Sequence, residues 1–168
     1  MKKKLAMLLF GAIFIGGIFM MKRYPVINDI TTSRTHPPQF VQVLKDPKLS
    51  DRNWIYPDSF WEKQQKSYPE VKPLEVSGKQ NEIFKVLEQL ARNQDWEITR
   101  VDFEHFAIEG IAVTPLLRFK DDWVIELRPM GESRFEIHMR SKSRLGKSDL
   151  GANAKRILHY FQEVKNNI

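Results

Sequence analysis

The residues best placed to do chemistry lie at positions 141–156, in the run SKSRLGKSDLGANAKR. The run leaves an alternating strand, turns through Gly146 and enters a helix. Free backbone N–H groups at a helix start attract anions, and Arg144 and Lys147 would add charge. An anion or lipid-headgroup site is one expectation for this segment. The plainer alternative is a helix capped by Ser148 or Asp149, which would satisfy the same donors from within. Asp149, Asn153, Arg156 and Tyr160 follow at spacings of four, three and four, so they share one helix face. That face borders the apolar stripe, where polar groups are half-buried and must find partners. Two arrangements are open. In the first, the face clamps an earlier segment: Asp149 or Asn153 bonds backbone near Asn28 to Thr31, and Asp29 pairs with Arg144 or Arg156. In the second, the same groups line a ligand cleft between that segment and the domain.

Other chemistries find less support. Asp121 and Asp122 could share a proton or hold a cation. Neighbours on a strand point to opposite faces, however, so turn and capping duty is expected of them. A phosphate loop of the GxxxxGK[ST] type would end in Gly146, Lys147 and Ser148, but its first glycine falls on Ser141. His36, His105, His138 and His159 are not spaced as metal pairs, and neither HExxH nor GxSxG occurs. The chain has no cysteine, which excludes disulfides, thiolate metal sites and cysteine nucleophiles. No metal and no cofactor are expected.

The elements that must position these groups follow from periodicity. Ser77 and Gln80 read as a capping box for a helix whose Ile83, Phe84, Leu87, Leu90 and Ala91 share a stripe, ending near Asn93. A strand begins at Trp96 and Ile98 and returns through Phe106 and Ile108. The alternation slips by one after Gly110, which predicts a bulge there. Trp123, Ile125 and Leu127 mark a third strand. In the fourth, Phe135, Ile137 and Met139 alternate with Arg134, Glu136, His138 and Arg140, which predicts a sheet covered on one face and wet on the other. The last helix begins near Asp149 and carries Leu150, Ala154, Ile157, Leu158, Phe161 and Val164. Residues 77–168 are therefore expected to form an α+β unit of order α-β-β-β-β-α: a four-stranded antiparallel meander with two helices on one face.

Residues 24–76 form an arm punctuated by proline at 25, 37, 38, 47, 57, 69 and 73. Each proline biases the residue before it toward extended backbone. One helical island, Asp58–Ser67, is expected, capped by Asp58 and with Phe60, Trp61 and Gln64 on one face. Phe40, Trp54, Tyr56 and similar residues are too many for a disordered linker, so the arm should lie on the domain.

Positions 5–21 are uncharged and would span about 25 Å as a helix, close to a ~30 Å hydrocarbon core once the flanking cations snorkel. No small-residue cleavage pattern follows, so residues 1–23 are expected to be a transmembrane signal-anchor rather than a cleaved signal peptide. The flanking lysines weakly place the N-terminus in the cytoplasm. The rest would then be exported from the inner membrane to the periplasm or beyond. The net charge of +6 is uneven: residues 1–23 contribute +5, residues 24–137 carry −4 and residues 138–168 carry +5. The C-terminal end is thus electropositive. It lacks the broad basic face with stacking aromatics that nucleic acid requires.

The segment SRLGKSDLGANAKRI resembles the signature of the domain-of-unknown-function 1499 family of bacteria and plastids. NDI at 28–30, Pro37 and Pro38 before Phe40, Tyr56 with Pro57, Tyr68 with Pro69, and FKDD at 119–122 are similar to its other landmarks. The likeness runs over residues 26–161 and implies one family domain across 24–168. Members often carry an N-terminal membrane or export segment, which agrees with the anchor. The family brings no established activity.

Together these observations favour a membrane-anchored extracytoplasmic binding module. It would recognise a protein partner or an anionic envelope component through Arg144, Lys147, Ser148, Asp149, Asn153 and Arg156, with Asn28, Asp29 and Tyr160 as clamp residues. The alternatives are an enzyme of unassigned class using the same region, with Asp149 as acid or base, and an assembly factor without a small ligand.

Overall fold

The computed structural model describes residues 24–115 and 118–168. Among them run, in order, β1 (Asp29–Thr31), a 3-10 turn at Val43–Lys45, α1 (Asp58–Ser67), β2 (Leu74–Ser77), α2 (Gln80–Arg92), β3 (Trp96–Asp102), β4 (Ala107–Val113), β5 (Lys120–Gly131), β6 (Arg134–Ser143) and α3 (Ala152–Asn167). The class is α+β, but the expected four-stranded meander is replaced by a six-stranded antiparallel sheet with three helices. The strand order is β1-β6-β5-β4-β3, and β2 also pairs with β6. The two added strands come from the arm and lie end to end along one side of β6. Asp29 to Thr31 pair with Lys142 to Arg140, and Leu74 to Ser77 with Ile137 to Arg134. At three residues β1 is too short to show alternation, and β2, Leu-Glu-Val-Ser, shows it only over the minimum of four.

This pairing also removes the expected capping box. Ser77 is opposite Arg134 in the ladder, and α2 starts after Lys79 with no side-chain cap. The apolar stripe of α2 is nevertheless buried as its spacing requires, at Ile83, Phe84, Leu87, Leu90 and Ala91. With the stripe of α3 it covers the sheet face made by Ile108, Trp123, Ile125, Ile137 and Met139. Tyr160, expected to clamp the arm, instead lies fully buried in this core, and its hydroxyl donates to the Leu87 carbonyl at 2.7 Å. It ties α3 to α2.

The bulge expected at Gly110 is on the facing strand. Gly110 pairs with Ile98 and Glu109 with Arg100, so Thr99 of β3 is the extra residue. Strand β4 itself alternates without a slip: Ile108, Gly110 and Ala112 belong to the helix side. Gly110 is glycine because a Cβ there would lie 2.2 Å from the Glu97 carbonyl oxygen and 2.3 Å from Trp123 Cζ2. Ile111 looked like the start of a new phase only because the opposite face is apolar too.

That opposite face, expected to be wet, is covered by the arm. Phe40 and Val43 bury against Val124, with Leu49 and Trp54 packed around them. Burying a side chain such as Phe40 contributes on the order of 1.5–3 kcal/mol. The polar residues of β6 therefore sit inside the molecule; Arg140 is fully buried and His138 nearly so. The expected membrane anchor, residues 1–23, lies outside the described residues. Among those described, no helix is long and apolar enough to cross a membrane.

Candidate functional site

The turn before α3 is built from residues whose backbone cannot be helical. Leu150 and Gly151 both have positive φ, at 52° and 81°. Helix α3 therefore starts at Ala152, and Asp149 sits before it rather than in it. Asp149 still caps: one carboxylate oxygen accepts from Gly151 N at 2.9 Å and the other from Asn153 N at 3.0 Å. Burial raises the Asp149 carboxyl above its ordinary value, against these backbone donors, and the nearby charge of Asp121 adds to the rise. Gly151 also leaves room for the leading segment, since a Cβ there would come within 2.8 Å of the Tyr24 ring.

The leading segment is fastened along this turn. Asp149 N donates to the Ile27 carbonyl at 3.1 Å and Ser143 N to the Asn28 carbonyl at 2.8 Å. Asn28 Nδ2 donates to the Gly146 carbonyl at 2.6 Å, and Ser148 Oγ to the Pro25 carbonyl at 3.1 Å. Asn153 is fully buried and spends its side chain on four groups. It accepts from Ser141 Oγ (2.7 Å) and Arg156 Nη1 (2.6 Å), and donates to Ser143 Oγ (3.0 Å) and the Asn28 carbonyl (3.3 Å).

The ion pairs differ from those expected. Asp29 pairs with neither Arg144 nor Arg156. It receives Arg140 through two bonds, Nε to Oδ1 at 2.9 Å and Nη2 to Oδ2 at 2.8 Å, and Lys142 Nζ at 2.9 Å. The Arg140 guanidinium also donates to the Trp54 carbonyl at 2.8 Å and lies over the Phe40 ring, 5.0 Å from its centroid. Arg144 closes on Asp122 (2.8 and 2.7 Å) and Arg156 on Asp121 (2.7 Å). The positive charge expected to draw an anion is thus spent on two buried carboxylates. Of the expected anion-binding cations, Lys147 alone remains exposed.

Asp121 and Asp122 do take opposite faces, but neither serves as a turn or cap residue. They separate two clefts at the same end of the sheet. One, of about 280 Å³, lies under the arm between Phe40, Val43, Ile111, Asp122 and Arg144. Its carboxylates are satisfied: Asp122 by Arg144, and Glu109 by Arg100 and the Val41 and Gln42 N–H groups. The other, of about 270 Å³, is bounded by Phe119, Leu145, Leu150, Asp121, Asp149 and Lys155. Its floor is not satisfied. Asp121 is fully buried and Arg156 holds its Oδ2, while Oδ1 has no hydrogen-bond partner among the described residues. Tyr68 Oη and Trp123 Nε1 share that condition. Burial pushes the Tyr68 hydroxyl up to about 12, with the charge of Asp149 adding to the rise.

Several residues that organise the site were named from the sequence without the role they take. Gln64 is buried on α1 and completes the open edge of β1: its Oε1 accepts from Thr31 N (3.0 Å) and its Nε2 donates to Thr31 O (2.7 Å). Arg140 was visible only as a member of a wet face. The signal that could have found it is the arm itself, whose Phe40, Trp54 and Tyr56 require a sheet face to cover. His138, also placed on that wet face, is buried beneath Thr32 and bonded to Glu136 at 2.9 Å. Burial and the Arg128 charge lower its titration. His159 is exposed on α3. Among the described residues, no group of three or more His, Cys, Asp or Glu is placed to hold a metal ion.

The fold and this C-terminal turn define a two-layer α+β domain whose arm is part of its sheet. The chain belongs to the DUF1499 family, described as proteins of unknown function, and the match covers residues 29–164. No curated protein matches it.

Proposed function

We propose that this chain is a binding module, and that its ligand enters the cleft between Phe119 and the turn before α3. The buried Asp121 Oδ1 at the cleft, unpartnered among the described residues, carries this proposal. An unmet buried acceptor costs about 1–3 kcal/mol, and a charged one more, so such a group is retained where something fills it. The rim supports the same conclusion: Phe119, Leu145 and Leu150 are 40%, 61% and 45% exposed, a cluster of large apolar side chains around a polar floor. Binding is favoured over acid–base chemistry by Asp149 because both of its oxygens are engaged by backbone N–H groups. The uncharged positions 5–21 and their flanking cations support a place at the inner membrane, with the domain on its outer side.

The test is a cleft-filling variant. Ala152 lines the cleft at the first position of α3, and Ala152→Trp would fill it while leaving every ion-pairing residue in place. Native mass spectrometry of the purified chain should show a small molecule retained by wild type and lost from Ala152→Trp. Wild type without a bound molecule, or equal retention by both, would overturn the proposal.

A further inference from the structure

We propose that the cleft selects a primary amine carried on an apolar body, with the amine N–H donating to Asp121 Oδ1. This rests on the cleft being a binding site and adds the chemistry of the occupant.

The charged groups at the floor are acceptors. Among the described residues, Asp121 Oδ1 lacks a donor, and Asp149 Oδ1 and Oδ2 each accept one backbone N–H. A carboxylate or phosphate placed there would face two acids, with Arg156 already bound to one of them and to Asn153 and Ser141. A quaternary ammonium would bring charge but no hydrogen to donate. A primary ammonium brings both, with three donors on a compact head. Lys155 also lines the cleft. Its ammonium lies 5.7 Å from the centroid of the Tyr24 ring, where the π-face holds it.

The rest of the ligand is set by size and surface. About 270 Å³ is near the lower limit of ~300 Å³ for small-molecule pockets, room for a head and a short chain. Phe119, Leu145 and Leu150 stand at the mouth, so a longer apolar body would leave the cleft over them. A free alkylamine and the amino head of a lipid share this chemistry.

The test uses the full chain in phosphatidylcholine nanodiscs, with NMR shifts of Phe119, Leu145 and Leu150 as the reporter. Hexylamine, hexyltrimethylammonium and hexanoate are titrated separately. Hexylamine is expected to bind at least tenfold more tightly than the other two, and Phe119→Ala to weaken it without unfolding the chain. Asp121→Asn should remove the preference for the amine. Because that variant also loses its full pairing with Arg156, the comparison of the three ligands on wild type decides the matter alone. Equal binding of all three at these residues overturns the amine preference and leaves the cleft as a site. Absence of any shift there overturns both. Nanodiscs with phosphatidylethanolamine in place of phosphatidylcholine separate the sources: displacement of hexylamine assigns the head to a lipid, and unchanged affinity assigns it to a free amine.

Discussion

Arg140 and Asp29, 111 positions apart, meet in a two-pronged ion pair with both side chains fully buried. The pair joins β1 to the face of β6 that the arm covers. Removing one member of a buried pair strands the other charge, which costs about 3–5 kcal/mol. Asp29→Ala should lose about that much in urea unfolding, and Arg140→Ala less, because Lys142 still holds the Asp29 carboxylate. The double variant should lose clearly less than the sum, because neither charge is left alone. Additive losses would mean that the two residues act through other contacts.

Gly110 makes a different prediction. Its missing Cβ leaves space for the Trp123 ring and for the backbone of β3. A flexible side chain could yield to an added methyl group, but the Glu97 carbonyl oxygen belongs to a paired strand. Gly110→Ala should therefore destabilise the fold by about 3 kcal/mol. Adding Trp123→Leu should recover only part of the loss, since the clash with backbone stays. Full recovery in thermal unfolding would place the whole strain on the indole.

His138 gives the fold a pH dependence of known sign. Burial and Arg128 hold its titration below the ordinary value of 6.5, against the pull of Glu136 and Glu126. The unfolded chain therefore takes up the proton first as pH falls. The stability contributed by neutral His138 is complete above pH 6.5 and is lost as pH drops through that value toward the folded one. Between pH 7 and 5, wild type should lose stability more steeply than His138→Phe in chemical denaturation. Parallel curves would remove His138 as the cause.

How much of this was legible in the sequence depended on element length. Helix α2 and the strands from Trp96 onward were readable because each repeats its period, and α1 from Asp58 and one shared face, Phe60, Trp61 and Gln64. Strand β1 has three residues, too few for a period to appear, and β2 has four, a single repeat of its alternation beside Pro69 and Pro73. The same gap hid the second face of the sheet. Alternating charges on β6 look solvated until Phe40, Val43 and Trp54 are placed over them. At the site, spacing placed Asn153 and Arg156 on one helix face, and a contact from Asp149 or Asn153 to the backbone of Asn28 to Thr31 was one of two arrangements left open; the structure has Asn153 on the Asn28 carbonyl. The partners of the arginines could not be inferred: Asp121, Asp122 and Asp29 are all acids within reach of a basic segment, and only the register of β1, β5 and β6 assigns them. Positive φ at Leu150 displaced the start of α3 by three residues, with nothing in the side chain of leucine to announce it.

The position of β6 bears on how this polypeptide is made. It is the last strand to leave the ribosome, yet it separates β5 from the two strands contributed by the arm. The earliest segments have no ladder to join until about four-fifths of the chain exists. Docking of the arm's two strands is therefore a late event, and a nascent chain stalled before position 134 would expose Ile30 and Val76 to whatever chaperone or membrane lies nearby.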